Sequence, residues 1–207
     1  MVAAVAEKRR ARGPGTGRPL EELLRKAAPF LARRGYRRVS VDDIAAELGL
    51  SKGGFYWHFK SKEDFYRRIC RMSCDGHLAL CRRLLQAETL DRADILEGAK
   101  EVLRSTIGNP LQVRLLFEFQ AELQGVPEIR EEMERLHAEW EELLRRLVRR
   151  CMADGILPAY VDADAAARDI QVMFDGLLFD FNIRRNTEAV LATWERFLKG
   201  FIARRSG

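Results

Sequence analysis

Apolar residues recur at three- and four-residue spacing along nearly the whole 207-residue chain, and alternation of apolar with polar positions never lasts more than a few residues. That period is the helical one, so the chain is expected to be all-α. The first helix is expected over 19–34. Leu20, Leu24, Ala27 and Leu31 form one stripe, Pro19 suits a first helical position, Glu21 and Glu22 favour the positive helix end, and Gly35 closes it. Pro29 sits awkwardly inside it and predicts a kink, because it removes a backbone donor. Two short helices follow, over 40–49 and 51–59. Ser40-x-x-Asp43 reads as a capping box, Ile44 and Leu48 lie four apart, Gly49 ends the first, and Ser51 caps the second. Two short helices joined by "LGLS" have the form of a helix-turn-helix.

Longer amphipathic helices are expected over 61–87, 91–107, 110–123, 126–153, 162–185 and 187–203, broken at Asn109-Pro110, Gly125-Val126-Pro127 and Gly155 to Pro158. The last two have wide apolar faces. One aligns Ile170, Met173, Leu177 and Phe181; the other aligns Val190, Trp194, Phe197 and Phe201, with Leu191, Leu198 and Ile202 beside them. Such breadth predicts an intersubunit helix bundle, with Met173, Leu177, Phe181, Val190, Trp194, Phe197 and Phe201 as its contacts; packing within one chain is the plainer alternative.

Charge sharpens the picture. The net charge of +5 is modest, but residues 1–60 hold thirteen Lys and Arg against six Asp and Glu, whereas the remaining 147 residues hold 23 against 25. The basic end asks for a polyanion, nucleic acid before membrane. Residues 1–18, rich in Arg, Gly and Pro, read as a disordered basic arm. No run of about 18 uncharged apolar residues exists to span a membrane. At the N-terminus a short apolar stretch precedes a basic cluster, the reverse of a secretion signal, and four cysteines are too few and too unevenly placed for a disulfide framework. A cytoplasmic protein is expected. No Ser-His-Asp set, paired acids or cofactor fingerprint is visible, and His58, His77 and His137 are scattered, so neither an enzyme nor a cofactor is expected.

The second short helix carries the distinctive chemistry, "LSKGGFYWHFKSKEDF" over 50–65. Its N-terminal end is slim and polar. Ser51 caps it, Lys52 adds charge, and Gly53 and Gly54 let a backbone come close. Phe55 and Phe59, four apart, can both turn inward against Ile44 and Leu48. Tyr56 and Trp57 then face the other way with polar ring edges, His58 offers a donor, and Lys60 and Lys62 flank the next helix start, placed for phosphates. His58 has no partner at metal-ligand spacing, so no metal is expected.

These residues resemble the DNA-binding domain of the TetR family of bacterial transcriptional regulators. The likeness lies in Gly35-Tyr36 ahead of Ser40, in Ile44-Ala-x-x-Leu-Gly-x-Ser51, in Lys52-Gly-x-x-Tyr-x-His-Phe59, and in Lys60-Ser-Lys-Glu-x-Phe65. It is specific over about 19–66; beyond that only the helical layout agrees. The resemblance implies a three-helix DNA-binding domain over 19–64 and a larger helical ligand-binding and dimerisation domain over 65–207. It implies a homodimer joined through its last two long helices, an inducer pocket, and a repressor released from operator DNA by a small molecule. It also implies DNA contacts at Ser40, Ser51, Lys52, Gly53, Tyr56, Trp57, His58 and Lys62.

Candidate pocket residues are Phe117, Phe119, Trp140, Met173, Phe174 and Phe179, with Gln120, Glu118, Asp175 and Asn182 as polar members. Glu118 and Glu122, four apart, would favour a cationic ligand. Cys70, Cys74, His77 and Cys81 fall at offsets 0, 4, 7 and 11 on one helix stripe, which raises a thiol- or metal-responsive regulator as an alternative. Four ligands strung along one helix cannot close a tetrahedron by themselves. A helical adaptor with a nucleic-acid-binding arm would explain the helices and the basic end but not the capped pair.

Overall fold

The structure is a computed structural model that describes residues 19–204; the basic arm expected over 1–18 lies outside them. The described residues form helices with no strand: α1 Leu20–Arg34, α2 Val41–Leu48, α3 Lys52–His58, α4 Lys62–Gln86, α5 Arg92–Ile107, α6 Pro110–Glu122, α7 Pro127–Ala153, α8 Ala163–Arg184 and α9 Thr187–Arg204. Each expected helix forms within two residues of its expected bounds, because the stop and start residues act as read. Ser40 accepts from the Asp43 amide at 3.1 Å while Asp43 accepts from the Ser40 amide at 2.7 Å, so both halves of the capping box are made. Gly49 ends α2 in the left-handed region, and Ser51 and Ser61 cap α3 and α4.

Pro29 does not interrupt α1. The helix loses one bond to the Arg25 carbonyl, and burial on both sides of the proline, at Leu23, Leu24, Ala27, Ala28, Leu31 and Ala32, holds it.

One main core runs from α1 to α9, and a smaller cluster around Val148, Ile156, Leu157 and Ile202 closes the far end of α7. The aromatic side chains of Phe55, Phe59 and Phe65 pack with ring centroids 4.9–5.7 Å apart and seat α3 on the start of α4. From there α4 continues without a break into the larger helical body. Arg67 and Arg71 bind the buried Glu132 of α7, and Arg71 with Arg82 binds Glu139.

A second tie joins the two halves through α6. Gly35 has φ +78°, ψ 157°, a conformation that glycine tolerates and other residues do not, and a Cβ there would lie 2.7 Å from Glu118 Oε1. Glu118 uses that space to accept from the Tyr36 amide at 2.8 Å. One turn on, Glu122 is buried and accepts from Arg37 Nε at 3.0 and 3.1 Å. These carboxylates, expected to favour a cationic ligand, instead clasp the loop between α1 and α2. The reason is geometric: on α6 they lie on the face packed against α1, while Leu116, Phe117 and Gln120 turn the other way.

Candidate functional site

Two sites emerge, one on α3 and one inside the helical body. On α3, Ser51 accepts from the Gly54 amide at 3.0 Å, which fixes the helix start. The glycines then part company. Gly53 is exposed, and a Cβ there would meet nothing closer than Ser51 Oγ at 3.9 Å. Gly54 is buried with Phe55, because position 54 of this helix turns toward the protein. Gly54 therefore offers no surface to a groove, against the expectation that both glycines face outward. Tyr56 and Trp57 are 50% and 73% exposed, large rings that the chain's own core leaves uncovered. His58 is half-buried edge-on to Trp57, and its Nε2 has no hydrogen-bond partner.

Around α3 the expected cations are placed differently. Lys52 is exposed and lies 3.1 Å from Asp42 of α2, so an arriving phosphate must displace only a solvated surface pair. Lys60 is exposed, its amide donating to Asp64 at 3.1 Å. Lys62 sits 4.0 Å over the ring of Tyr36, whose hydroxyl donates to Glu63 at 2.6 Å; partial burial lowers the Lys62 pKa. Ser40 is exposed at the start of α2. The solvent-facing groups of this surface are Ser40, Ser51, Lys52, Gly53, Tyr56, Trp57 and Lys60. Together they form a polar, cationic helix start open to solvent.

The second site is a cavity of about 160 Å³ enclosed by α4, α6, α7 and α8. Phe117, Gln120, Trp140 and Phe174 line it, as do Asp175 and Phe179. Met173 and Asn182 do not: the helical period turns Met173 away from the wall that holds Phe174 and Asp175, while Asn182, on the Asp175 stripe, lies two turns farther along α8. Phe119, also expected there, is fully buried against Tyr66 on the opposite side of α6. The edge of Trp140 meets Phe174 at 4.8 Å between centroids. A wider surface recess shares Gln120, Met133 and His137 with the cavity and lies outside it toward Arg130.

Sequence reasoning missed the polar chemistry of this wall. Cys74, His77 and His137 all line it. The two histidines do have partners: His77 Nδ1 is 3.3 Å from Thr106 Oγ1, and His137 Nδ1 is 2.9 Å from Gln171 Nε2. Burial raises the pKa of Asp175 beside them, against the pull of both rings. The only sequence signal was the cysteine stripe with His77 inside it; His137 comes from a helix 60 residues on. Among the described residues no group of three such ligands could hold a metal ion.

Leu177, Phe181, Val190 and Trp194, expected as intersubunit contacts, are buried in the chain's own core, and Trp194 Nε1 donates to the Ala99 carbonyl at 2.9 Å. Met173, Phe197 and Phe201 are half-buried. The apolar side chains left open on α8 are Val172, Phe179 and Ile183, 58–65% exposed. Broad apolar faces cover two sides of these helices, and the core takes the side the sequence pattern makes most continuous.

Residues 23–69 match the family model for bacterial regulatory proteins of the tetR family, and residues 91–203 match that for the BetI-type transcriptional repressor C-terminal domain. The chain is 26% identical to the transcriptional regulator AcuR of Cereibacter sphaeroides over 201 residues, covering 89% of this chain and 85% of that protein. A match of 31% over 88 residues to the uncharacterized HTH-type regulator YerO of Bacillus subtilis covers 42% of this chain and 28% of YerO. Salmonella enterica GusR shares the fold, with a TM-score of 0.75 at 23% identity over 89% of this chain and 95% of that one. Among the described residues no helix is long and apolar enough to cross a membrane.

Proposed function

The chain belongs to the TetR family of bacterial transcriptional regulators, and on that premise we propose that it is a homodimeric repressor released from operator DNA by a small molecule bound in the inner cavity. The observation that carries the DNA reading is the open face of α3. Tyr56 and Trp57 remain exposed on a helix whose other face is anchored by Phe55 and Phe59. In a major groove they would meet base edges while Lys52 and Lys60 meet phosphates. A dimer would then read a near-palindromic operator with half-sites roughly 34–36 Å apart.

Dimerisation is assigned to α8 and α9. Val172, Gly176, Phe179 and Ile183 follow one another at offsets 0, 4, 7 and 11 on the open face of α8, which supplies an apolar seam. Repression is supported by the description of the matched C-terminal model, which is that of a repressor.

Release needs a differential contact between ligand and conformation. Both α4 and α6 have one part at the cavity and another on the DNA-binding half. Cys74 and His77 of α4 face the cavity while Phe65 and Tyr66 hold α3 and Tyr36; Phe117 and Gln120 of α6 face it while Glu118 and Glu122 hold the loop after α1. Selection of bound sequences from random DNA tests the reading. Tyr56→Ala and Lys52→Ala should each weaken binding to the selected operator by about 1–3 kcal/mol with the thermal midpoint unchanged. Wild-type affinity in both variants would refute the assignment of α3.

A further inference from the structure

The cavity holds a reactive set that reversible ligand binding leaves unused. Thr106 donates its only hydroxyl proton to the Val102 carbonyl at 2.8 Å, so toward His77 it can only accept. Its 3.3 Å contact therefore places a proton on His77 Nδ1 and leaves Nε2 as a free base. His137 has the opposite tautomer. The Gln171 amide nitrogen stands 2.9 Å from His137 Nδ1 and faces the His137 carbonyl, so it donates, and Nδ1 accepts. The proton of His137 is then on Nε2. One imidazole of this cavity is set to take a proton and the other to donate a hydrogen bond.

Cys74 lies on the same wall, one helix turn before His77. Of the four cysteines it alone is acidified. A hydrogen bond from Cys70 lowers its pKa, with His77 adding to the effect, whereas burial raises Cys81 and Cys151 to about 11. Cys70 also lies 3.2 Å from Met133 Sδ, but a thiolate at Cys74 is the stronger acceptor for its one proton.

We propose that Cys74, His77 and His137 form a covalent capture site for small α,β-unsaturated carbonyl compounds. Cys74 is the nucleophile, His77 its base and His137 the hydrogen-bond donor to the carbonyl oxygen. The proton of Cys74 passes to His77 Nε2, and the sulfur electron pair forms a bond to the β-carbon. The alkene π pair moves through the α-carbon to the carbonyl oxygen, where the enolate accepts a hydrogen bond from His137 Nε2–H, and the α-carbon then takes the proton held by His77. One C–S bond forms, one C=C becomes single, no group leaves and nothing is oxidised overall. The proton that left Cys74 passes through His77 to the α-carbon, so both rings end neutral, and Asp175 on the same cavity wall offsets the transient positive charge on His77. A cavity of about 160 Å³ is close to the ~150 Å³ void that admits benzene, which limits the ligand to about that size. The shared lining at Gln120, Met133 and His137 gives it a way in. The regulatory consequence rests on the cavity being the ligand site of the repressor.

The test uses the full reduced chain at neutral pH with substoichiometric methyl vinyl ketone, followed by digestion and mass spectrometry of the four cysteine peptides. Cys74 should be modified at least about tenfold faster than Cys81 or Cys151. His77→Gln should slow the adduct by roughly 100-fold. His137→Leu should slow methyl vinyl ketone but not iodoacetamide, which expels iodide and needs no hydrogen-bond donor at a carbonyl oxygen. Even labelling of all four cysteines in the wild type overturns the proposal, whether or not the variants fold. On selected operator DNA, methyl vinyl ketone should release the wild type and spare Cys74→Ser. Release of both proteins alike by saturated butanone would keep the cavity as a ligand site and overturn the covalent step. Selective labelling of Cys74 with the protein still on DNA would uphold the capture chemistry and overturn the cavity's regulatory reading.

Discussion

Replacing Gly35 by alanine should strike the contact between the DNA-binding half and α6 through two separable costs. The first is backbone: φ +78° with ψ 157° is a region open almost only to glycine, and occupying it with alanine costs about 1–3 kcal/mol. The second is the Cβ, which would lie 2.7 Å from Glu118 Oε1. That carboxylate is the end of a flexible side chain, so the clash itself is cheaply relieved. The relief, however, pulls Glu118 away from the Tyr36 amide that it now accepts from at 2.8 Å. A hydrogen bond to a charged group contributes about 1.5–3 kcal/mol, so the total loss is about 2.5–6 kcal/mol, a large share of the ~5–15 kcal/mol that a folded domain has. At about 2–4 °C per kcal/mol for a chain of this length, the thermal midpoint should fall by roughly 5–24 °C.

A double-mutant cycle separates the two costs. Measured by urea denaturation, Glu118→Ala alone should lose the hydrogen bond, and Gly35→Ala in that background should cost only the backbone share. The two changes should therefore couple by about 1.5–3 kcal/mol, well beyond the ~0.5 kcal/mol scatter of independent sites. Strict additivity would show that Glu118 does not respond to a Cβ at position 35, and the clasp as described would be wrong.

Other variants probe the same structure from different sides. Arg37→Ala should destabilise more than Glu122→Gln, because it leaves the buried Glu122 charge without its partner while the amide removes that charge; denaturation midpoints in the reverse order would refute this. Asp64, buried at the start of α4, has its pKa lowered: burial alone would raise it, but Arg67, the Lys60 amide and Arg68 prevail. Its contribution is thus present above the ordinary value of 3.8 and lost as pH falls through the lower folded value, so Asp64→Asn should flatten the acid limb of the stability curve below pH 4. Ile183→Asp on the open face of α8 should yield monomers by sedimentation with the fold retained by circular dichroism, whereas Trp194→Arg should unfold the chain; a dimer surviving Ile183→Asp would move the interface elsewhere.

What the sequence disclosed was governed by local rules. Caps such as Ser40, Ser51 and Ser61 satisfy amides within four residues, and apolar periods show which side of a helix is buried, so helices and their ends follow directly. The open rings of α3 were legible for the same reason, since Phe55 and Phe59 fix one face and thereby define the other. Gly54 was misassigned because a residue without a side chain leaves no periodic signal of its own. The cavity was half legible. Phe117, Gln120, Trp140 and Phe174 show as apolar or polar members of helix faces, but the pairing of His77 with Thr106 and of His137 with Gln171 depends on tertiary contacts between helices 29 and 34 residues apart. Glu118 and Glu122 read as partners of a cationic ligand because two carboxylates one helix turn apart favour a cation; only the fold brings Gly35, Tyr36 and Arg37 to them.

That last error bears on how the molecule works. A pair of glutamates on a helix wall of the cavity would have made α6 a ligand contact alone. Turned toward Tyr36 and Arg37, they give α6 cavity-facing residues on one face and a tie to the DNA-binding half on the other. The second connection, α4, is a single continuous helix from Phe65 beneath α3 to His77 in the cavity, and Arg67 and Arg71 fix it to α7. A ligand that displaces α4 relative to α6 therefore acts on two attachments of one small domain at once. Their relative motion, more than the motion of either, would reorient α3. The coupling free energy available is the part of the ~1–3 kcal/mol typical of such links that the clasp at Gly35 can hold. Weakening the clasp with Glu118→Gln should accordingly reduce ligand-driven release more than it reduces operator affinity, as measured by operator titrations with and without a cavity ligand. Equal losses in both would mean that α6 supports the fold and carries no signal.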